Sequence, residues 1–169
     1  MKSGDPNFEE FFPLLLKHQV KFILIGGGAA MAHGSARATY DVDVVYARDR
    51  ENIGRLVEAM RPHSPYLRGA PRGLPFVFDE KTVRNGLNFT LTTTLGDIDF
   101  LGEVAGGGTY EQLLPHSEEV SAFGCKFLCV SLERLIQLKR AAGRPRDLEA
   151  IAELQALLEE RTKQESGGL

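Results

Sequence analysis

Two Asp-x-Asp pairs carry the side chains of this sequence that could do chemistry. Asp41 and Asp43 lie in the alternating run Thr39–Tyr46, and Asp97 and Asp99 lie in a later short run. Residues i and i+2 of a strand face the same side, about 6.5–7 Å apart. Two carboxylates at this spacing repel each other, and a cation between them relieves the repulsion. Magnesium prefers oxygen ligands and commonly takes one or two carboxylates together with substrate phosphates.

A glycine-rich turn precedes the first acidic pair. Three glycines beginning at Gly26 follow the apolar run 20–25. Glycines let backbone N–H groups approach a phosphate closely, and the helix that follows offers its positive end. We therefore expect phosphates at Gly26 and Gly27 and their magnesium at Asp41 and Asp43. The spacing does not match the GxGxxG pattern of dinucleotide-binding proteins.

The pattern of apolar residues predicts the elements that position these side chains. Short runs rich in β-branched residues indicate strands, and apolar residues three or four positions apart indicate helices. Pro13 is expected to interrupt or kink the first helix, and the prolines and glycines of residues 62–75 predict an irregular loop. Strands are predicted over 20–25, 39–46, 76–78, 87–92 and 96–101 and in a hairpin around Phe123-Gly124, and helices are predicted from about residues 5, 26, 52, 110, 131 and 147.

The order of these elements predicts the fold class. Strands and helices alternate first and two helices come last, which favours an α/β or α+β domain with a mixed β-sheet flanked by helices and a C-terminal helical hairpin. The length of 169 residues suits one such domain. We expect a core over residues 1–130, a hairpin packed on that core over 131–162, and a flexible tail over 163–169.

Composition excludes several classes of protein. Hydrophobic residues make up 43% and charged residues 25% of the chain, which is typical of globular proteins. The net charge of −3 argues against a general nucleic-acid-binding protein, which is usually basic. The N-terminus has no apolar signal core, and no apolar run approaches the roughly 20 residues that span a membrane. A cytoplasmic protein with no membrane partner is expected.

Two cysteines and one histidine are expected to be structural. Cys125 and Cys129 would point to the same face of a strand and are interpreted as buried reduced thiols, because a zinc site would need more ligands nearby. His33 precedes Gly34 at the end of a predicted helix, where capping or packing is favoured over ligand binding.

Two longer runs resemble a known family. Residues 25–43, which read IGGGAAMAHGSARATYDVD, resemble the nucleotidyltransferase superfamily with the DNA polymerase beta-like fold. They are most similar to the branch that contains AbiEii-type toxins and related minimal nucleotidyltransferases. Residues 132–148 resemble the helical segment of that branch. The resemblance covers roughly residues 8–158, and the two runs together are more specific than a glycine pair with one Asp-x-Asp.

The resemblance implies an activity and a catalytic centre. The reaction would be the magnesium-dependent transfer of a nucleoside monophosphate from a nucleoside triphosphate to a hydroxyl of RNA, protein or a small molecule, with pyrophosphate leaving. Asp41 and Asp43 would bind the metal ions, and Asp99 would be the third carboxylate, able to help deprotonate the attacking hydroxyl. Asp97 is the alternative to Asp99, which is preferred because the apolar pair Phe100-Leu101 follows it as in the family.

The resemblance also implies the nucleotide-binding residues. Serine often follows the glycine pair in this superfamily, whereas Gly28 and Ala29 stand there in this chain. Lys139 and Arg144 would contact the triphosphate. The alternatives are a solvated lysine at 139 and a structural pair or helix cap between Arg144 and Asp147. The complete implied set is Gly26, Gly27, Arg37, Thr39, Lys139 and Arg144.

Two further hypotheses come from the same residues. The missing serine hydroxyl and the small size favour an alternative in which the protein has the nucleotidyltransferase fold but binds a nucleotide or a partner without turnover. The AbiEii-like branch suggests a toxin of a toxin–antitoxin pair, which would have an antitoxin partner.

Overall fold

The computed structural model describes residues 5–167. The first four residues, where the absence of a signal core was inferred, and the last two residues of the predicted tail lie outside this range. The helices are α1 (Phe8–Lys17), α2 (Gly26–Ala32), α3 (Arg50–Met60), α4 (Glu80–Asn85), α5 (Tyr110–Leu113), α6 (Leu132–Ala142) and α7 (Pro145–Gly167). The strands are β1 (Phe22–Ile25), β2 (Asp41–Tyr46), β3 (Tyr66–Leu67), β4 (Asn88–Thr93), β5 (Gly96–Leu101), β6 (Glu103–Val104), β7 (Gly108–Thr109), β8 (Ser117–Ala122) and β9 (Cys125–Val130).

A mixed sheet forms the centre of the fold. Within residues 5–167 it has seven strands in the order β3-β4-β5-β2-β1-β9-β8, and β6 pairs with β7 in a separate two-stranded sheet. Strand β2 is parallel to β5 and antiparallel to β1, and β1 is parallel to β9. The prediction of a mixed sheet flanked by helices is confirmed.

Helix α1 packs on the sheet at β9, and the neighbouring strand β1 is buried along its whole length. Phe12 is fully buried and its ring centroid lies 4.3 Å from that of Phe127 on β9. The predicted interruption at Pro13 does not occur, because α1 continues to Lys17. Pro13 is exposed, so water can satisfy the carbonyl that its missing N–H leaves free.

Three predictions for the middle of the chain were wrong in detail. The segment 62–75 is not wholly irregular, because β3 lies in it and pairs with β4. The predicted strand 76–78 is not a strand. Phe78 is buried there for another reason, since its ring stacks 6.0 Å from that of Phe100. Helix α4 was not predicted, and its start is stabilised by the Asp79 carboxylate, which accepts from Thr82 N at 2.8 Å.

Two helices end the described chain and pack on each other. Gly143, with φ of +65°, ends α6 as predicted, and Ser131 caps its start by accepting from Arg134 N at 3.2 Å. Helix α7 continues to Gly167, so the described part of the predicted tail is helical. None of the helices formed by residues 5–167 combines the length and apolar character that crossing a membrane requires.

A buried histidine connects α7 to the sheet. His33 Nε2 donates to Val130 O at 2.7 Å, and its Nδ1 accepts from Arg161 Nη2 at 2.9 Å. Cys129, which is also buried, has its Sγ 3.7 Å from the same Nε2. Cys125 is half-buried, and both cysteines are free thiols. His33 and Cys129 therefore have the packing roles expected from the sequence, whereas Cys125, predicted to be buried, packs against the core but is only partly buried.

Candidate active site

The carboxylates come together because β2 and β5 are parallel and in register. Asp41 is paired with Asp97, and Asp43 with Asp99. The two-residue period of a strand puts all four side chains on one face, while the residues between them, such as Val42, are buried on the other. One oxygen from each of Asp41, Asp43 and Asp99 lies within 4.8 Å of the others. We call these three residues the acidic triad.

Asp97 lies on the same face but outside the triad. Its Oδ2 is 3.4 Å from Arg68 Nε, and its Oδ1 accepts from Thr92 Oγ1 at 3.4 Å. Of the two candidates for the third carboxylate, Asp99 is therefore the one that converges with Asp41 and Asp43.

Asp43 is the most electrostatically strained member of the triad. Its Oδ1 is buried and has no hydrogen-bond partner within residues 5–167. Burial, followed by the charges of Asp41 and Asp99, raises the pKa of Asp43 well above its usual range. Burial also raises the pKa of Asp99, although Arg68 opposes this effect. Two buried oxygens of the triad, Asp43 Oδ1 and Asp99 Oδ1, thus lack a hydrogen-bond partner within residues 5–167, and such a cluster of hard oxygen donors fits a divalent cation such as magnesium.

Arg68 contacts the triad and was missed in the sequence. Its backbone N–H donates to Thr90 O at 3.0 Å, which continues the pairing of β3 with β4. The guanidinium Nη2 lies 2.9 Å from Asp99 Oδ1, and Nη1 lies 3.9 Å from Asp41 Oδ2. No periodicity could have identified this residue, because β3 has only two residues and lies among glycines and prolines.

The start of α2 lies directly against the triad. Helix α2 begins at Gly26, which has φ of +68°, without a separate turn before it. A Cβ on Gly26 would clash with Asp43 Oδ2, and a Cβ on Gly27 would lie 2.5 Å from Thr39 Oγ1. Both glycines are therefore needed for this close approach, and no side chain among residues 5–167 caps the N-terminus of α2.

Replacing Gly26 by alanine should damage both stability and activity. A non-glycine residue in this left-handed conformation costs about 1–2 kcal/mol, and forced packing costs about 1–3 kcal/mol more. Displacement of Asp43 should lower any reaction at the triad by about 100-fold. Gly124→Ala is the control, since Gly124 also has positive φ but nothing lies within 4 Å of its added Cβ. Equal losses of free energy of unfolding and equal activity in both variants would contradict this account.

Thr39 and Arg37 lie on the segment that leads into β2. Thr39 Oγ1 donates to Asp41 O at 3.0 Å and lies 3.4 Å from Asp41 Oδ1, so it fixes the start of the strand. Arg37 Nε lies 3.7 Å from Glu153 Oε2 on α7, and the Arg37 side chain is half-exposed. A guanidinium held only by such long contacts is free to reorient toward an anion.

Lys139 and Arg144 meet at the buried carboxylate of Asp147. Arg144 Nε donates to Asp147 Oδ2 at 2.6 Å, and Lys139 Nζ lies 3.8 Å from Asp147 Oδ1. Burial raises the pKa of Asp147, but the hydrogen bonds and charge of Arg144 outweigh it, so the pKa is lowered. The pairing of Arg144 with Asp147, considered as the structural alternative, is therefore present. After Asp147, the charges of Asp43 and Asp41 also raise the pKa of Arg144, which agrees with its position facing the triad.

One cavity of about 470 Å³ collects these groups between the sheet face and helices α6 and α7. Arg68, Asp147 and the largely exposed Tyr40 also line it, and the sequence analysis assigned none of these three to the site. The cavity is lined by every residue predicted for the site: Gly26, Gly27, Arg37, Thr39, Asp41, Asp43, Asp99, Lys139 and Arg144.

Comparison with known proteins gives matches in structure but not in sequence. No protein-family model matches the chain, and a sequence comparison with curated proteins also finds no match. The structure of the lincosamide antibiotic adenylyltransferase LnuA with lincomycin bound superposes with a TM-score of 0.59 at 14% identity, over 91% of this chain and 99% of that one. The structure of a candidate nucleotidyltransferase from Thermotoga maritima gives a TM-score of 0.51 at 17% identity, over 89% and 94% of the two chains.

At sequence identities of 14% and 17%, the two matches show a shared fold. Neither match confirms the AbiEii-type branch. Each match covers nearly the whole of both chains, so the similarity is not limited to a shared motif. The arrangement of the whole chain therefore bears out the predicted fold: this protein has the nucleotidyltransferase fold.

Proposed function

We propose that this protein is a metal-dependent nucleotidyltransferase that transfers a nucleoside monophosphate from a nucleoside triphosphate to a hydroxyl group. The observation that carries the proposal is the acidic triad, whose three oxygens lie within 4.8 Å of one another in the cavity. The similarity of the fold to two nucleotidyltransferase structures supports it.

Asp41, Asp43 and Asp99 would hold the cation, and magnesium is the expected one because every donor is a carboxylate oxygen. When bound, the cation would neutralise charge on the triphosphate and on the oxygens between which the phosphoryl group is transferred. The unpartnered Oδ1 of Asp43 and the mutual repulsion of the triad support this assignment.

The triphosphate would lie between two walls of the cavity. On one wall, the uncapped start of α2 at Gly26 and Gly27 offers N–H groups to phosphate oxygens. On the other, Lys139 and Arg144 supply positive charge, and Asp147 orients both of them. Arg37 and Thr39 lie at the edge of the same cavity and complete the proposed nucleotide-binding set.

The proposed chemistry is an in-line displacement at the α-phosphorus. A bond forms between the acceptor oxygen and the α-phosphorus, and the bond from the α-phosphorus to the bridging oxygen of the β-phosphate breaks. Asp99 receives the proton of the acceptor hydroxyl, and pyrophosphate leaves with the electron pair of the broken bond.

The acceptor would be a hydroxyl of RNA, of a protein or of a small molecule. The small-molecule class has the support of one similar structure, an adenylyltransferase solved with an antibiotic bound. The toxin role, with an antitoxin partner in the cytoplasm, rests on the AbiEii-like run alone. Growth arrest on expression, relieved by the product of the neighbouring gene, would test it.

A labelling assay tests the proposed function. The purified protein is incubated with each of the four α-³²P-labelled nucleoside triphosphates, with magnesium or with a chelator, in the presence of cellular RNA, protein and small-molecule fractions. We expect label on one acceptor fraction and release of pyrophosphate, both only with magnesium. Binding of the triphosphate without any transfer would instead favour the alternative of a non-catalytic protein with this fold.

A further inference from the structure

The guanidinium of Arg68 lies where a cation is expected. It is within 4.0 Å of Asp41, Asp97 and Asp99, which gives it contacts with two of the three triad carboxylates. Within residues 5–167, Arg68 makes no ion pair with Asp43, and the buried Oδ1 of Asp43 has no hydrogen-bond partner. The guanidinium of Arg68 thus neutralises charge on Asp41 and Asp99 but not on Asp43.

The contacts of Arg68 are of two kinds. Its attachment to β4 is well aligned, since Arg68 N donates to Thr90 O at 3.0 Å and Nη2 donates to Leu91 O at 2.8 Å. Its contacts with the carboxylates are close but poorly aligned, because Arg68 Nε and Asp99 Oδ1 are both buried without a properly directed hydrogen bond inside the range 5–167. Directed hydrogen bonds therefore hold the backbone and the Nη2 of Arg68, whereas the contacts of the guanidinium with the carboxylates depend on charge attraction.

We propose that Arg68 is an internal counter-ion that competes with a divalent cation for Asp99 and Asp41, and that binding of the cation moves the guanidinium onto Asp97. The inference rests on the proposed function, because it concerns the same triad. An arginine stays protonated in proteins, so it cannot relieve the repulsion by losing its proton and has to move. Asp97, already 3.4 Å from Arg68 Nε, gives the displaced charge a partner.

This role gives Arg68 a measurable effect on metal affinity. With no substrate present, the cation has to displace a positive charge that lies 2.9 Å from Asp99. Removing that charge should tighten binding of a divalent cation by about tenfold or more, given the strength of charge interactions at this separation. Arg68 is thus a positioning residue that keeps the triad folded without metal and makes metal loading depend on the arrival of the triphosphate.

The test measures binding of Mn²⁺ to the full-length protein without nucleotide, by electron paramagnetic resonance of the free ion. The variants are Arg68→Met and the control Arg72→Met, which removes an exposed arginine four residues away that makes no ion pair within the described chain. We expect Arg68→Met to bind Mn²⁺ at least about tenfold more tightly than wild type, and Arg72→Met to bind within about twofold of it, because solvent and salt screen the exposed charge. Arg68→Met should also melt at a lower temperature without metal and gain more from Mn²⁺ than wild type.

The outcomes separate this inference from the proposed function. Equal or weaker Mn²⁺ binding by Arg68→Met, with wild type binding normally, overturns the counter-ion role and leaves the proposed function standing. Absence of Mn²⁺ binding in all three proteins overturns the metal site and the inference with it. If Arg68→Met does not fold, Arg68→Gln gives the same test. Glutamine keeps a polar side chain but removes the positive charge, so Mn²⁺ binding should still tighten severalfold, and an unchanged affinity would count against the role.

Discussion

Asp43→Asn should abolish nucleotidyl transfer while raising the thermal stability of the metal-free protein. The amide keeps the shape of the side chain but removes the charge through which Asp43 would bind a cation. Loss of several kcal/mol of transition-state stabilisation corresponds to a decrease in kcat/KM of about 1,000-fold or more. Transfer of label from the preferred α-³²P-labelled triphosphate measures this loss.

The stability gain follows from the pKa of Asp43. Burial and the neighbouring carboxylates raise this pKa on folding, so ionisation costs more in the folded state than in the unfolded one. That cost appears as the pH rises above the unfolded value of about 4 and is present at neutral pH. The amide removes it, and Tm should rise by about 2–4 °C for each kcal/mol recovered.

Asp79→Asn is the matched control for Asp43→Asn. Asp79 caps α4 away from the cavity, and asparagine caps helices as well as aspartate does. This variant should keep the activity and Tm of wild type. Retention of activity in Asp43→Asn within a few-fold of wild type would rule out the proposed chemistry, and a lower Tm would show that Asp43 stabilises the metal-free fold.

Asp99→Asn and Asp97→Asn should differ in activity by about two orders of magnitude. The two residues lie on the same face of β5, but only Asp99 belongs to the acidic triad. Asp99→Asn loses both a cation ligand and the proton acceptor, so we expect a decrease in kcat of about 1,000-fold or more. Asp97→Asn removes one of the three carboxylate partners of Arg68 but no member of the triad, and should cost about tenfold or less.

The pH dependence of the transfer rate distinguishes the roles of Asp99 and Asp97 further. Transfer by Asp97→Asn should depend on pH as wild type does, whereas the residual activity of Asp99→Asn should lose the contribution of a base at the triad. Similar losses in the two variants, or a larger loss in Asp97→Asn, would transfer the role of third carboxylate to Asp97.

Much of the site could be predicted because it depends on local periodicity. The alternation along β2 and β5 is a property of each strand, so the shared face of Asp41 and Asp43 follows from their spacing alone. The register between the two strands is a tertiary property, and it decides that Asp43 lies opposite Asp99. For this reason the sequence left Asp97 as an alternative and the structure distinguishes the two.

The wrong predictions have two physical causes. Apolar residues report burial, and burial does not require regular structure, as Phe78 shows by packing on Phe100 from outside any strand. Conversely, β3 forms from two residues through pairing with β4, which leaves no periodic signal. Arg68 follows β3 directly, so its contact with the acidic triad could not be predicted from the sequence.

The central claim is that Asp41, Asp43 and Asp99 bind a divalent cation together with a triphosphate. The most direct measurement is the anomalous diffraction of a crystal grown with Mn²⁺ and a non-hydrolysable nucleoside triphosphate. We predict an anomalous peak in contact with all three carboxylates and with a phosphate oxygen, and a guanidinium of Arg68 turned toward Asp97. A triphosphate bound in the cavity with no Mn²⁺ at these carboxylates, or Mn²⁺ bound only elsewhere, would contradict the account.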